Sequence, residues 1–231
     1  MCRAMTDRTI SLTLVLHNHQ PVGNFGFVFE ECYQQSYGPM LDALERHPDV
    51  HLGLHYTGPL LDWFKAERPD VIERLRALVE RDQVEVLGGG YYEPVLASLR
   101  EDDRVGQLKK MADEIESLVG QRPGGAWLAE RVWEPDVPKA LSKAWYRFTV
   151  VDDAHVRAAA IPEELNWGPY STDDQGYRVI VFGSEQGLRY RIPFRPVEEV
   201  IDYLREHATE DGSLVGMMGD DGEKFGTCLL Y

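Results

Sequence analysis

The sequence predicts an α/β fold in which a parallel sheet curls into a (β/α) barrel. Short apolar runs alternate with segments whose apolar residues recur at helical spacing, which is the pattern of strands joined by helical crossovers. Roughly seven such runs are present, a number that suits a barrel. Ionisable residues gather where the predicted strands end, and barrels build their active sites on that face.

The first half of the chain contains three predicted strands and four predicted helices. Leucine-rich and β-branched runs predict strands at residues 10–16, 50–56 and 84–87. Apolar residues at helical spacing predict helices at residues 27–46, 58–64, 70–81 and 101–119. His47-Pro48 ends the first helix because a residue before proline avoids helical geometry.

The second half continues the alternation after residue 123. Strands are predicted at residues 124–129, 148–151, 178–182, 188–192 and 213–218, and helices at residues 135–145 and 196–207. Residues 157–177 are rich in Pro, Asn, Gly and Asp, so they predict a long loop. No linker, repeat or low-complexity stretch divides the chain, and residues 1–231 are therefore predicted to form one barrel domain.

The acidic composition restricts the class of partner. The 231 residues carry a formal net charge of −15, so nucleic acid and anionic membranes are not expected to bind. A neutral polysaccharide is compatible with this surface, and so is a homodimer. Residues 10–16 are too short to span a membrane. Scattered Cys2, Cys32 and Cys228 without a CxxC spacing predict free thiols and a cytoplasmic location.

The stretch AWLAERVWEP at residues 126–135 predicts carbohydrate chemistry. Glu130 lies at the end of a buried strand between Trp127 and Trp133, whose indoles offer flat apolar faces to a sugar ring. A carboxylate in that position can attack or stabilise an anomeric carbon. Arg131 is expected to hold Glu130 ionised by Coulomb attraction. An ordinary strand end with a surface ion pair is the alternative interpretation.

His17 and His19 follow the first predicted strand and point the same way, since they are two residues apart. Three interpretations stay open: neutral donors to sugar hydroxyls, metal ligands, or a structural pair at the barrel mouth.

The run GGGYYEPVL at residues 88–96 follows the third strand. Its glycines permit close backbone approach, Tyr91 and Tyr92 can line a sugar subsite, and Glu93 can bind a hydroxyl. A glycine-rich loop with core tyrosines is the plainer interpretation.

The run DDGEKFG at residues 220–226 places three carboxylates within four residues. Crowded like charges raise one another's pKa, which is how a carboxylic acid stays protonated near neutrality. The run therefore predicts a general acid to complement Glu130. A solvated acidic turn is the alternative, since the spacing does not fit a calcium loop.

Together with HNHQP at residues 17–21, these motifs resemble glycoside hydrolase family 57, most nearly its 4-α-glucanotransferase and α-amylase branch. The resemblance runs from about residue 10 to residue 226. It implies a (β/α)7 barrel that acts on α-1,4-glucans by a retaining double displacement, with no metal and no cofactor. A sugar hydroxyl as acceptor gives transfer, and water gives hydrolysis.

The resemblance also implies the roles of individual residues. Glu130 matches the nucleophile and Asp221 the general acid/base, which a retaining enzyme holds about 5–5.5 Å apart. Substrate-binding residues are expected to be His17, His19, Tyr92, Glu93, Trp127, Arg131, Trp133, Asp153 and Glu223.

One departure from the family pattern concerns the C-terminus. The family continues well beyond DDGEKFG, whereas this sequence stops at Tyr231, so we expect a barrel incomplete at its C-terminal end with an open and weakly active site. Other functions stay open: a metal-dependent deacetylase-like or mannosidase-like barrel that uses His17, His19 and Asp221, or a glucan-binding remnant without activity.

Overall fold

The computed structural model describes residues 8–227, so Cys2, Cys228 and the last residues of the chain lie outside the described part. The strands are β1 (Ser11–Asn18), β2 (Leu52–Tyr56), β3 (Val84–Gly89), β4 (Gly125–Trp127), β5 (Phe148–Asp152), β6 (Pro169–Asp174), β7 (Tyr177–Ser184) and β8 (Val215–Asp221). The helices are α1 (Gly26–Cys32), α2 (Gly38–Arg46), α3 (Gly58–Glu67), α4 (Pro69–Glu80), α5 (Glu101–Val119), α6 (Val137–Lys143), α7 (Asp153–Ala158), α8 (Gln186–Arg191) and α9 (Val197–His207). A π-helical turn, Tyr33–Tyr37, joins α1 to α2.

The strands form one sheet in the order β6-β7-β5-β4-β3-β2-β1-β8. All neighbours pair in parallel except β6, which is an antiparallel edge strand against β7. Seven parallel strands with helical crossovers confirm the predicted α/β class.

The two outermost parallel strands, β7 and β8, lie close to each other, but in the described residues they do not form regular strand pairing. The backbone N–H of Glu185 donates to Met217 O at 2.8 Å. The Ser184 hydroxyl donates to Gly219 O and accepts from Gly219 N, both at 2.9 Å. A side chain therefore supplies hydrogen bonds at the seam that strand pairing supplies elsewhere in the sheet.

The inner face of the sheet carries a small apolar cluster. It contains Val15, Leu87, Trp127, Val150 and Met217, contributed by five different strands. Because side chains alternate along a strand, the residue two positions beyond each member points the same way. His17 on β1 and Asp221, four residues beyond Met217 on β8, therefore face the same interior at the C-terminal end of the strands.

The helix α5 follows the predicted bounds, residues 101–119. Its first turn is acidic, which suits the positive end of the helix dipole. Gly120 ends it with a left-handed φ of 78°, a conformation that glycine adopts without strain. Within residues 8–227, no helix combines the length and apolarity that crossing a membrane requires.

The predicted loop at residues 157–177 is wrong in its second half. Residues 169–174 form β6, which pairs with β7 through a turn at Gln175 and Gly176, both with positive φ. The sequence PYSTDD lacks the apolar alternation of a half-buried strand because β6 lies at the sheet edge, where polar residues are tolerated.

The predicted strand at residues 188–192 is also wrong, because Gln186–Arg191 is the helix α8. The Glu185 side chain accepts a hydrogen bond from Leu188 N at 2.6 Å and so caps the first turn. Leu188 is fully buried. A five-residue run with alternating apolar residues does not separate a strand from a short capped helix.

Candidate active site

The strand ends bring the predicted site residues to one mouth of the sheet. His17 lies in register with Asp221 on one side and with His55 on the other. The His17 ring stacks on Trp127, with centroids 4.9 Å apart and planes at 8°. Four strands, β1, β2, β4 and β8, thus contribute side chains to a single patch.

Glu93 is held between two imidazoles. His17 Nε2 lies 2.8 Å from Glu93 Oε1, and His19 pairs with the other carboxylate oxygen. Burial by itself would raise the pKa of Glu93, but hydrogen bonds from His17 and His19 outweigh it and lower the pKa to about 2. The carboxylate is therefore an anion at neutral pH.

His19 is the more accessible of the two imidazoles, with 36% of its side chain exposed. Desolvation acts to lower its pKa, but the hydrogen bond and charge of Glu93, together with Glu223 and Glu130, raise it above 6.5. The His19 backbone N–H donates to Glu223 and the His17 ring stacks on Trp127, so the third and fourth motifs meet the first motif at this mouth.

Glu130 lies in a single helical turn, Ala129–Arg131, directly after β4. Its side chain is exposed, and both Glu130 and Arg131 have φ of 53°. Glu93 has φ of 52°. Left-handed geometry at non-glycine residues is unfavourable by roughly 1–3 kcal/mol each and is concentrated at functional sites.

Arg131 does not follow the predicted pairing. Within the described residues its ion pairs go to Asp152 (Nε to Oδ2, 3.7 Å) and Asp220 (Nη1 to Oδ1, 4.0 Å) rather than to Glu130. The guanidinium carbon lies 5.7 Å from the Trp127 ring centroid, on its face. Arg131 thus links the ends of β4, β5 and β8, which sequence adjacency to Glu130 could not reveal.

Asp221 is the last residue of β8 and has 46% of its side chain exposed. Lys224 Nζ lies 3.3 Å from Asp221 Oδ2 and 2.7 Å from Oδ1 of buried Asp220. The two neighbouring carboxylates therefore differ: Asp220 anchors the lysine inside, and Asp221 faces solvent at the mouth.

The Glu223 carboxylate lies next to the His19 backbone. Its Oε1 accepts hydrogen bonds from Tyr37 Oη at 2.5 Å and from the backbone N–H of His19 at 2.8 Å. Burial raises the pKa of Glu223, although these two hydrogen bonds oppose the shift. The raised pKa of Glu223 therefore comes from desolvation, and not from the crowding of like charges on which the sequence prediction for this motif was based.

Three predicted binding residues lie apart from this cluster. Exposed Tyr92 accepts from Lys110 Nζ at 2.7 Å. Trp133 lines a cavity of about 200 Å³ beside Tyr170, between β5, β6 and α7. Asp153 is 3% exposed and accepts from Arg157 at 2.7 Å and from Gln186 N at 3.2 Å, so its carboxylate is already hydrogen-bonded.

Sequence reasoning missed Tyr37, which comes from the π-helical turn and reaches Glu223, although no motif marks it. His55 is one of the ionisable residues predicted at the strand ends, but the sequence did not indicate its contact with His17.

The imidazoles of the mouth are engaged with protein partners. His17 and His19 each direct a ring nitrogen to Glu93, and His17 directs the other to His55. Within residues 8–227, no three His, Cys, Asp or Glu groups are arranged to hold a metal ion. The arrangement offers donors and acceptors suited to sugar hydroxyls, and two exposed carboxylates, Glu130 and Asp221, lie at strand ends nearby.

A mostly parallel α/β sheet whose strand ends carry carboxylates beside a buried tryptophan has the groups that glycoside hydrolysis requires. The chain belongs to glycosyl hydrolase family 57, whose profile matches residues 13–230.

Curated relatives include two differently named enzymes. A 4-alpha-glucanotransferase of Thermococcus litoralis and an alpha-amylase of Pyrococcus furiosus are each 44% identical over 217 residues, or 94% of this chain. The crystal structure of 4-alpha-glucanotransferase from Thermococcus litoralis superposes with a TM-score of 0.92 at 43% identity over 95% of this chain. The chain spans about a third of the length of these relatives, 33% of each curated sequence and 34% of the crystallised chain.

Proposed function

We propose that this chain is the catalytic barrel of a retaining 4-α-glucanotransferase, which cuts an α-1,4-glucan and transfers one part to another sugar. The observation that carries the proposal is that Glu130 follows β4 and Asp221 ends β8, while Trp127 of β4 stacks on His17 of β1, which lies in register with Asp221. Relatives named 4-alpha-glucanotransferase support the choice of reaction.

In the first step Glu130 attacks the anomeric carbon and forms a glycosyl-enzyme. Asp221 donates its proton to the leaving glycosidic oxygen, so the departing sugar leaves as a neutral alcohol.

In the second step the 4-hydroxyl of an acceptor sugar attacks the glycosyl-enzyme. Asp221 takes the hydroxyl proton, and Glu130 departs as a free carboxylate. Two inversions at the same carbon restore the α configuration. Water in place of the acceptor completes hydrolysis, which is the reaction in the names of the alpha-amylase relatives.

The Glu93 cluster is proposed to bind the sugar at the cleavage point. The anionic Glu93 accepts from sugar hydroxyls, and His19, whose pKa is raised by the hydrogen bond and charge of Glu93, donates to them in its protonated form. Trp127 is buried and stacks on His17, so it supports the imidazole that lies beside the proposed sugar position. Each of these groups is fixed by another protein group, so little entropy is lost on binding.

Incubation with maltoheptaose tests the proposal. Transfer predicts a ladder of shorter and longer maltooligosaccharides with no increase in reducing ends, whereas hydrolysis predicts only shorter products and more reducing ends. Glu130→Gln should abolish both, and Glu134→Gln, at an exposed position in the same stretch, is the matched control. A ladder that survives in Glu130→Gln would contradict the assignment.

The partner proposed is a neutral α-glucan, in keeping with the formal charge of −15. Cys32 is a buried free thiol, which is consistent with the proposed reducing, cytoplasmic compartment. We also predict a homodimer, which light scattering would detect as twice the molar mass of one chain.

A further inference from the structure

His55 is a buried imidazole that the proposed mechanism does not use. It lies on β2 in register with His17 and is 1% exposed. Its Nδ1 atom lies 2.8 Å from His17 Nδ1, which is a hydrogen-bonding distance. Two imidazole nitrogens at that distance share one proton, so one is the donor and the other the acceptor.

The environment of His55 Nε2 determines which of the two Nδ1 atoms is the hydrogen-bond donor. Nε2 is buried and has no hydrogen-bond partner among residues 8–227. Gly89 packs against it so closely that a Cβ there would lie 3.1 Å from Nε2. An orphaned buried N–H is rarer than an unshared acceptor. The proton of a neutral His55 therefore resides on Nδ1.

Neutrality of His55 follows from its surroundings. Desolvation, and next the neighbouring His17, lower its pKa to about 3. His55 Nδ1–H then donates to His17 Nδ1, which must be unprotonated to accept. The His17 proton is left on Nε2, the atom that faces Glu93 Oε1 at 2.8 Å.

We infer that His55 is a positioning residue, which holds His17 in the Nε2–H tautomer and thereby fixes the Glu93 carboxylate and the ring stacked on Trp127. The chain of hydrogen bonds runs from His55 through His17 to Glu93. The tautomer assignment stands independently of activity. Its consequence for glucan binding rests on the proposed function.

Nitrogen-15 NMR of the histidine rings tests the tautomer directly in the full chain. The wild type should show His17 with a protonated Nε2 and an unprotonated Nδ1, and His55 with the reverse. His55→Asn keeps an N–H close to the place of Nδ1 and should preserve the His17 pattern. His55→Leu removes the donor, and His17 should then lose its single tautomer.

Wild-type His17 protonated on Nδ1, or a His17 spectrum unchanged in folded His55→Leu, would overturn the inference. The wild-type spectrum and His55→Asn decide the matter even where the leucine variant does not fold.

Kinetics with maltoheptaose give the second measurement. His55→Leu should raise KM roughly tenfold, as expected for the loss of one buried hydrogen bond, and His55→Asn should restore most of it. Equal loss in both variants would show a packing role only and would contradict the inference. Absence of turnover in the wild type would count against the proposed function, while the NMR result would still decide the tautomer.

Discussion

At the scale of single residues, the site combines strained backbone with tightly paired side chains. Glu93, Glu130 and Arg131 all have left-handed φ near 53°, although none is glycine. The motifs identified these residues from sequence, because the residue types in a motif indicate the chemistry that they can perform. Their contacts could not be predicted, since the left-handed turn, rather than the order of letters, sends Arg131 to Asp152 and Asp220.

The strain predicts an unusual stability effect at position 130. Glu130→Gly should be more stable than Glu130→Ala by about 1 kcal/mol, because only glycine adopts this φ without a Cβ clash. Urea unfolding of both variants measures the difference. Exposed Glu116 in α5 is the control, where glycine should instead be about 1 kcal/mol less stable than alanine. If the stability difference between glycine and alanine had the same sign at both positions, the backbone strain at Glu130 would be contradicted.

The Glu93 cluster predicts how stability depends on pH. The pKa of Glu93 is lowered to about 2, so its contribution is present above pH 4.5 and is lost as pH falls towards 2. The pKa of His19 is raised, so its contribution is complete below pH 6.5 and declines as pH rises through the folded value. The stability difference between wild type and Glu93→Gln should therefore peak between pH 4.5 and 6.5.

Urea unfolding at a series of pH values measures that difference, which should reach at most about 3 kcal/mol. A difference that does not change with pH would show that Glu93 is not held as an anion by the histidines.

At the scale of elements, long amphipathic segments were predictable and short or edge segments were not. The helix α5 repeats its apolar spacing over five turns, so its bounds follow from the sequence. The edge strand β6 and the six-residue helix α8 depend on the neighbouring β7 and on a Glu185 cap, and local patterns carry little of that information.

Gly89, the last residue of β3, gives a test at this scale. A Cβ at Gly89 would lie 2.6 Å from the Trp127 carbonyl oxygen, a backbone atom that cannot move without shifting β4. Gly89→Ala should destabilise the protein by about 1–3 kcal/mol, measured by urea unfolding. Gly106→Ala, in the exposed face of α5 with no atom within 4 Å, should stabilise it by about 0.5–1 kcal/mol. Equal effects at both positions would contradict the close packing of β3 on β4.

At the scale of the whole molecule, the parallel sheet brings together residues separated by much of the chain. Motifs at residues 17–21, 88–96, 126–135 and 220–226 meet at one mouth because all four follow strands of the same direction. The parallel direction of the strands was predictable from the alternation of strands and helices, although one predicted strand is the helix α8 and β6 was predicted as loop. The hydrogen bonds between β7 and β8 were not predictable, since they depend on how the Ser184 hydroxyl and the Glu185 backbone N–H meet β8 in three dimensions.

The central claim is that Glu130 and Asp221 act on the same glycosidic bond. An α-maltosyl fluoride tests it most directly, because fluoride leaves without protonation and the intermediate forms even where the acid is absent. In Asp221→Asn the base for the second step is also lost, so the glycosyl-enzyme should accumulate. Mass spectrometry should find a maltosyl residue on the peptide that carries Glu130, and none in Glu130→Gln. A maltosyl residue on any other side chain, or no covalent adduct while the fluoride is consumed, would contradict the account.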